Sequence, residues 1–412
     1  MPSPAASRAV CQRLMLALVA LGVLTSCGGE GKPVEPLVAT ANVRPDRVIF
    51  TQVVQDMDGS LPLIAGAPAV AKVLVVRSRE SVTEVPVVLR LFRGGRLIHT
   101  DTARTGGVLG PSTSFAAASA EFLVPGALVA ADVAWQIALD PAQTVADSTR
   151  DDNLLPAVTP AALQVVSVPA IRLRLVPVIL TQHDDATGDV TAAVAEQYVR
   201  IAHQVFPARS FTVAIGSPVR SAAYFGAPPV GGDRGFWGAV LADVDRARVE
   251  SNSGDELWYG VVMLPVGYSR PTFGGFAYIP SDPAAIGPAS RTSVGLGIGN
   301  GIQLQASQAL LAHEMGHNFG RLHAPGCGAP APLDSLYPGT TGAIFGIGHD
   351  VWAWANGQAR GAQSVGSETA DVMSYCQPVW VGPHTHREVT RWRMGGGIVA
   401  RRASVDTPVV TP

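Results

Sequence analysis

The chain has 412 residues, of which 47% are hydrophobic and 15% are charged, and its formal net charge at pH 7 is −2. This length allows two ordinary domains or one large one, and the apolar content is sufficient for packed cores, which excludes global disorder. A nearly neutral chain has no excess of positive charge for a phosphate backbone, so no nucleic-acid partner is expected.

Residues 1–26 have the pattern of a bacterial signal peptide. A positively charged start precedes an apolar run at residues 14–24, which is too short to span a bilayer as a permanent helix. The run ends in Leu24-Thr25-Ser26-Cys27, which resembles a bacterial lipoprotein signal. The resemblance implies cleavage before Cys27, acylation of Cys27 and a lipidated tether over residues 27–43. A plain secretory peptide is the alternative, and in both cases the mature protein is exported.

Residues 44–158 have the pattern of a β-sandwich. Short runs rich in Val, Ile and Leu alternate with clusters of Gly, Pro and Asp, and Gly94-Gly95 between two runs is a hairpin signal. Such a series of strands predicts two antiparallel sheets of immunoglobulin-like type. His99 is expected to be a surface or packing residue. Because no catalytic group of residues stands out, the domain is expected to be a spacer or a substrate-binding module.

Residues 171–402 alternate between strand-like and helix-like segments, after a linker at residues 159–170 that contains Pro and Ala. The predicted order is strand, helix, strand, helix, strand, at residues 171–180, 190–205, 211–215, 236–249 and 256–264. This order predicts an α/β domain with a mostly parallel sheet. The predicted fold class is therefore α+β, an antiparallel sandwich followed by an α/β domain, and residues 403–412 are predicted to be a disordered tail.

A histidine-rich segment of the second domain has the spacing of a metal site. From Leu304 up to His313 the chain has no Pro or Gly, which predicts a helix that continues past the histidines. Positions four apart lie on one face of a helix, so His313 and His317 can bind one ion together. Glu314 then lies beside the ion without binding it, where a general base for a metal-bound water is needed.

The same segment supplies a third ligand. Gly320 can adopt a positive φ, which ends the helix and turns the chain back. His323 then reaches the ion. Three protein ligands leave a fourth position for water, which is the arrangement of a catalytic zinc ion. A bare H-E-x-x-H also occurs by chance on solvated helices, whereas the pattern extended through Gly320 and His323 is more specific.

The segment from His313 to His323 reads His-Glu-Met-Gly-His-Asn-Phe-Gly-Arg-Leu-His, and a later segment reads Asp371-Val372-Met373-Ser374-Tyr375-Cys376. Together they resemble the metzincin metallopeptidases, with a layout similar to bacterial reprolysin-like and mucin-directed enzymes. The resemblance implies that Met373 lies in a turn beneath the metal. It also implies that Tyr375 reaches the zinc ion or the oxyanion, as a Tyr does in the serralysin-like and astacin-like branches.

The resemblance has a further implication for two cysteines. In a metzincin, the segments that carry Cys327 and Cys376 meet under the zinc ion, which implies a disulfide between them, formed in an oxidising compartment. Two buried free thiols are one alternative, and additional metal ligation by the two cysteines is another.

Three residues, Gly275, Phe276 and Ala277, are candidates for an edge strand above the cleft. In the metzincin pattern an extended peptide pairs antiparallel with such an edge, and the neighbouring glycines would let its backbone approach closely. An ordinary strand after a Gly turn is the alternative. Among the later residues, His349 is expected to be structural, with a role as an extra metal ligand as the alternative. Residues 377–380 are expected to line a pocket wall, and His384 and His386 are weaker candidates for contacts there.

The sequence therefore predicts a zinc-dependent endopeptidase that is displayed from the outer membrane or cell surface by a lipid anchor. Its partners would be a polypeptide or glycoprotein substrate and, through Cys27, the membrane. Zinc would lower the pKa of its bound water, Glu314 would take the proton, and Tyr375 would stabilise the oxyanion. Two other classes remain open: an envelope adhesion lipoprotein with a vestigial zinc site, and a zinc amidase that acts on a non-protein substrate.

Overall fold

The structure is a computed structural model of the chain. It describes residues 41–78, 84–106, 120–224, 226, 233–265, 274–280, 291–299, 303–358, 364–395 and 408–411. The predicted signal peptide at residues 1–26 and the proposed lipid-anchor residue Cys27 lie outside these ranges. Within them, no helix combines the length and the apolar character needed to cross a membrane.

Two antiparallel sheets are formed by the first half of the described chain. The strands of this half are β1 (Val43–Thr51), β2 (Val54–Gln55), β3 (Leu63–Ile64), β4 (Ala69–Arg77), β5 (Pro86–Arg93), β6 (Arg96–Arg104), β7 (Ala120–Val124), β8 (Val133–Leu139), β9 (Leu154–Leu155), β10 (Ala161–Ala162) and β11 (Val165–Val166). β4 pairs antiparallel with β1 and β7 in one sheet. In the other sheet β5 pairs antiparallel with β6 and β8, and β9 and β10 extend this sheet at β8.

The two sheets pack face to face over a shared apolar core. In β5, Val87, Leu89 and Leu91 are fully buried, because side chains alternate between the faces of a strand and every second one points inward. They belong to the same core as Ala71 and Val73 of β4. The predicted antiparallel sandwich is therefore present.

The predicted linker at residues 159–170 belongs in part to this sandwich. β10 pairs antiparallel with β8, where Ala161 lies opposite Trp135, and β11 pairs in parallel with β3. The prediction of a plain linker therefore needs correction for these four residues. Strands of two residues show no periodicity by which a sequence pattern could reveal them.

A sheet of eight described strands lies at the centre of the second half. The elements of this half are β12 (Ile171–Leu180), β13 (Ala186–Thr187), α1 (Ala192–Tyr198), α2 (Arg200–Val205), β14 (Phe211–Ile215), β15 (Val219–Ser221), α3 (Asp233–Glu250), β16 (Leu257–Val262), β17 (Gly275–Tyr278), β18 (Thr292–Leu296), α4 (Leu304–Asn318), β19 (Ile347–His349), α5 (Val351–Ala355), β20 (Ser364–Val365), β21 (Ala370–Asp371), β22 (Val379–Trp380), α6 (Pro383–Arg393) and β23 (Pro408–Thr411). β12 pairs in parallel with β14, β15 and β16, and β16 with β18. β13, β17 and β23 are antiparallel to their neighbours.

Helices cover both faces of this sheet. On one face, Leu175 of β12 shares a core with α1, α2 and α4, including Met315. On the other face, Val176 of the same strand shares a core with Trp237 of α3. Successive side chains of β12 therefore point into two different apolar layers, as expected for an α/β arrangement with helices on both sides.

The second half contacts the sandwich through a small separate sheet. β19 pairs antiparallel with β2, where Ile347 lies opposite Gln55. The indole N–H of Trp380 also donates to the carbonyl of Val53 at 2.8 Å. Trp380 is thus part of the contact with the sandwich, and its place in a pocket wall stays a prediction. Residues 39–412 form one compact unit.

Four residues near the C-terminus form a strand that the sequence does not predict. Residues 403–412 are predicted to be a disordered tail, but Pro408–Thr411 form β23 and pair antiparallel with β17. The prediction is therefore corrected for these four residues. Pairing with a strand more than a hundred positions away leaves no signal in the local sequence, which is why the pattern did not reveal it.

Candidate metal centre

Helix α4 carries two of the three histidines and ends near the predicted glycine. Gly320 has φ +76°, its N–H donates to the carbonyl of His317 at 2.8 Å, and the N–H of Arg321 donates to the carbonyl of Gly316 at 3.0 Å. These two bonds form a Schellman motif, which caps the helix and reverses the chain. His323, outside the helix, consequently arrives beside the histidines of α4.

The three predicted ligands meet in one place. One nitrogen from each of His313, His317 and His323 can be chosen so that all three atoms lie within 4.8 Å of one another. The Nε2 atoms of His313 and His317 are 3.1 Å apart. All three side chains are buried, with His317 and His323 fully so.

Each of the three rings is oriented by a hydrogen bond to a backbone carbonyl. The partners of Nδ1 are Val372 O for His313 and Arg321 O for His317, both at 2.7 Å, and Pro330 O for His323, at 2.9 Å. Because a carbonyl can only accept, Nδ1 is the donor, and the lone pair of each ring is on Nε2. Buried lone pairs that converge in this way fit a cation, which would replace their mutual repulsion by attraction.

Burial keeps the three imidazoles neutral. It lowers the pKa of His313 to about 3, with a further contribution from the neighbouring His323, and lowers the pKa of His323 to about 4. It also holds the pKa of His317 well below its usual range. Neutral imidazole is the form that binds metal ions. The described chain thus contains a three-histidine group that can hold a metal ion.

The carboxylate of Glu314 is buried beside the histidines, against the backbone of β17. Glu314 is fully buried and directly follows His313 on α4. A Cβ built on Gly275 would lie 2.6 Å from Glu314 Oε1, so the carboxylate fills the space that a side chain at position 275 would need. The residue predicted to be the base and the first residue of the predicted edge strand are therefore neighbours.

Tyr375 reaches the third histidine. Its hydroxyl lies 3.5 Å from Nε2 of His323, and the two ring centroids are 5.1 Å apart. Burial raises the pKa of Tyr375, and the negative charge of Glu314 raises it further. A hydroxyl that keeps its proton can donate to an oxygen that gains negative charge next to the histidines.

Met373 lies in a tight turn against α4. A Cβ on Gly316 would lie only 2.3 Å from the sulfur of Met373, so the glycine makes room for this side chain one residue before His317. The turn is held by the buried carboxylate of Asp371, which accepts hydrogen bonds from the backbone N–H groups of Met373 and Gly382, both at 2.8 Å. Met373 therefore packs directly on the helix that carries two of the histidines.

Cys327 and Cys376 are joined as a disulfide, with their Sγ atoms 2.10 Å apart. The bond links the loop that follows His323 to the segment that follows Met373. The same two segments are also connected by a backbone hydrogen bond from Ala324 N–H to the carbonyl of Met373, at 2.9 Å. The structure thus brings together the pair of cysteines that the metzincin resemblance implies.

A partly buried ionic network behind the histidines is not predicted by the sequence. Asp334 accepts hydrogen bonds from the guanidinium of Arg321 and, at 2.9 Å, from Nε2 of His384. Burial raises the pKa of Asp334, but the bond from His384 and the charge of Arg321 outweigh this effect and lower it. The N–H of Asp334 also donates to the carbonyl of His323 at 2.8 Å. The backbone carbonyl of Arg321 accepts the hydrogen bond that orients the ring of His317. The network therefore holds the backbone at two places, next to His317 and at His323. An Arg between His317 and His323 is the only sequence signal for it.

A second glycine, opposite Gly275, admits another polar group to the same face of the sheet. Gly275 and Gly295 lie opposite each other in β17 and β18. A Cβ on Gly295 would lie 2.1 Å from the hydroxyl of Tyr259. Burial raises the pKa of Tyr259, and the charge of Glu314 adds to this rise. Tyr259 therefore interacts electrostatically with the carboxylate, a relationship that no sequence motif indicates.

The predicted edge strand is paired on both sides. Gly275, Phe276 and Ala277 form most of β17, which pairs with β18 and, on its outer side, with β23. Phe276 is buried in the core under α3. The strand exists as predicted, but in this structure its outer edge is not free.

The remaining histidines lie outside the three-histidine group. His349 is buried in β19, where it faces the ion pair between Lys72 and Glu121. His386 is buried on α6, and His99 lies on β6. These positions agree with the structural roles expected for His349 and His99.

No protein-family model matches the chain, and no curated protein matches it significantly. Among solved structures, one similar chain is the CARDB domain of a protein from Pyrococcus furiosus, in complex with di-metal ions, at 18% identity over 30% of this chain and 90% of that chain, with a TM-score of 0.19. Another is a cycloisomaltooligosaccharide glucanotransferase of Paenibacillus sp. complexed with cycloisomaltoheptaose, at 12% identity over 60% of this chain and 32% of that chain, with a TM-score of 0.18. With both TM-scores below 0.5, neither likeness supports an argument about fold or function.

Proposed function

We propose that this chain is a zinc-dependent endopeptidase of the metzincin type. The observation that carries the proposal is the buried convergence of three neutral histidines beside Glu314. Imidazole is a common zinc ligand, and three protein ligands leave a coordination position for water. The packing of Met373 under α4 and the approach of Tyr375 to His323 support this family over an unrelated metal site.

In the proposed reaction each residue of the site has one task. A zinc ion, when bound, supplies a Lewis acid that polarises water and the substrate carbonyl. Glu314 takes a proton from the water and returns it to the leaving amine as the peptide C–N bond breaks. Tyr375 donates a hydrogen bond to the carbonyl oxygen as that oxygen gains negative charge. The full burial of Glu314 strengthens its interactions, because the local dielectric constant is low.

The test is digestion of unfolded and glycosylated proteins by the zinc-loaded protein, with Glu314→Gln as the matched variant and mass spectrometry of the products. The wild type is expected to cut. Glu314→Gln is expected to bind zinc in the same ratio and to lose at least about a hundredfold in rate. Equal cleavage by both proteins would exclude Glu314 as the base. No cleavage by zinc-loaded wild type would favour an adhesion lipoprotein or a zinc amidase for a non-protein substrate.

We also propose that the enzyme acts outside the cytoplasm, on extracellular or envelope polypeptides, and is lipid-anchored through Cys27. The disulfide between Cys327 and Cys376 supports an oxidising compartment. Cys27→Ala is expected to move the protein from the membrane fraction to the soluble exported fraction. Retention of this variant in the membrane fraction would contradict the anchor, and accumulation in the cytoplasm would contradict export.

A further inference from the structure

Strand β23 occupies the outer edge of β17, beside the proposed base. The antiparallel register places Thr411 opposite Gly275, Val410 opposite Phe276, Val409 opposite Ala277 and Pro408 opposite Tyr278. β23 also contacts α4. The edge to which an extended peptide would add is therefore already paired with a segment of the same chain.

Two residues of β17 supply the backbone groups for this pairing. The N–H of Leu296 donates to the carbonyl of Gly274 at 2.9 Å, so the polar backbone groups at position 274 face β18. These groups point alternately to the two sides of a strand. Gly275 and Ala277 therefore face β23, and their partners Thr411 and Val409 make the hydrogen bonds.

The proline of β23 falls at a position that tolerates it. Pro408 lies opposite Tyr278, whose backbone groups face β18 by the same alternation. In agreement, the side-chain amide of Asn318 donates to both the Tyr278 carbonyl and the Thr292 carbonyl of β18, at 3.1 and 3.0 Å. The missing N–H of Pro408 therefore removes no bond from the ladder. The sequence of the segment fits this register.

The edge of β17 that β23 occupies lies next to the proposed base, Glu314. Gly275 lies against the carboxylate of Glu314, and β23 runs from Pro408 towards Thr411, which is the residue opposite Gly275. An extended peptide that adds to the sheet would use the backbone groups of Gly275 and Ala277. These groups cannot pair with β23 and with a substrate strand at the same time.

We propose that Pro408–Thr411 is an intramolecular competitor, which must leave the edge of β17 before an extended peptide substrate can bind. The regulatory part of this inference rests on the proposed endopeptidase function, whereas the docking of the segment does not. Twelve residues separate Gly395 from Pro408, and a short tether gives an effective concentration of about 1 mM. If the untethered segment binds with a Kd of about 0.1 mM, the tether raises the apparent KM for a peptide about tenfold.

Two adjacent substitutions in the full chain separate this pairing from a general effect of proline. Val409→Pro removes an N–H that bonds to β17, whereas Val410→Pro removes an N–H that points away from it. Both variants are made with Glu314→Gln to prevent turnover, and a fluorescent synthetic peptide of residues 406–412 is the probe. Anisotropy is expected to show about tenfold tighter binding of the probe to Val409→Pro than to Val410→Pro or to the parent. Deletion of residues 408–412 is expected to reproduce the effect of Val409→Pro.

Equal binding of the probe to all four proteins would overturn the proposal. Peptide hydrolysis by the same variants with Glu314 intact provides the second measurement, in which Val409→Pro is expected to show about a tenfold lower KM than Val410→Pro, with kcat unchanged. Equal KM values would show that the segment does not compete with substrate. If no variant cleaves any peptide but the difference in probe binding persists, the docking is supported and the endopeptidase function fails.

Discussion

Glu314 occupies the space that a side chain at Gly275 would need. A Cβ at this position would lie 2.6 Å from Oε1 of the carboxylate and 2.9 Å from the carbonyl oxygen of Val294. Since the Val294 contact is with backbone, the strand cannot yield easily, and the carboxylate would have to move. The orientation of the proposed base is therefore set by the absence of a side chain on a neighbouring strand.

Gly275→Ala is expected to lower the rate of peptide hydrolysis about a hundredfold, because a displacement of the base by about 1 Å costs a factor of this size. Zinc content should remain at the wild-type ratio, since no histidine is touched. Gly238→Ala is the matched control: the nearest atom to its Cβ would be a ring carbon of Phe276 at 4.0 Å, and alanine favours the helix. Full activity of Gly275→Ala would show that the carboxylate is free to reorient.

Tyr259 and Tyr198 offer a pair of hydroxyl deletions with opposite expected effects. Among the described residues the Tyr259 hydroxyl has no hydrogen-bond partner, whereas that of Tyr198 accepts a bond from the N–H of Ile298 at 2.7 Å. Tyr259→Phe is expected to change the free energy of unfolding by less than about 1 kcal/mol. It should lower kcat about tenfold with KM unchanged, because the Tyr259 hydroxyl contributes to the electrostatic environment of the Glu314 carboxylate.

Tyr198→Phe should show the reverse pattern, with lower stability and an unchanged kcat, because it leaves a backbone N–H without its acceptor. Denaturant unfolding of the metal-free proteins and initial rates of the zinc-loaded ones provide the measurements. If the two variants behave alike, the Tyr259 hydroxyl has no specific influence on Glu314.

Burial of His349 should make the stability of the fold sensitive to acid even when no metal ion is bound. Burial lowers its pKa to about 4, the charge of Lys72 contributes, and Glu121 opposes the change. In the unfolded chain the pKa returns to about 6.5. Below pH 6.5 the unfolded chain takes up a proton at His349 that the folded chain does not. The free energy of unfolding is therefore highest above pH 6.5 and falls as the pH is lowered, by about 2 kcal/mol at pH 5.

His349→Phe is therefore expected to lose less stability than the wild type between pH 7 and pH 5, measured by denaturant unfolding of the metal-free protein. His99→Phe, on strand β6 of the sandwich, is the control and should lose as much stability as the wild type. An acid loss in His349→Phe equal to that of the wild type would exclude this residue as the source.

The disulfide should contribute strongly to stability near the metal centre. It closes a loop with a sequence separation of 49 residues, for which loop-closure entropy predicts about 4 kcal/mol. The double variant Cys327→Ala/Cys376→Ala is expected to lose about this amount in urea unfolding and to bind zinc more weakly, because the loop after His323 is released. Labelling of both cysteines by a thiol reagent in the native wild type would contradict the bond.

Much of the metal site could be predicted from the sequence because its signals are local. The spacing of His313 and His317 follows from the period of a helix. Gly320 adopts the positive φ that its freedom allows, and His323 arrives after the resulting turn. The sandwich strands were likewise predicted from alternation, which expresses one buried face. In each case the pattern lies within about ten residues of chain, where backbone geometry alone relates the positions.

The tertiary structure decided what depends on residues that are remote in sequence. The pairing of β23 with β17, the bonds of Asp334 to Arg321 and His384, and the fit of Glu314 against Gly275 join segments with no common period. Such contacts depend on how the sheet and helices pack, and no pattern within a short stretch of sequence indicates that arrangement. The sequence by itself therefore determined which groups can bind a metal ion. Packing determined how the carboxylate of Glu314, the proposed base, is oriented, and that the outer edge of β17 is already paired.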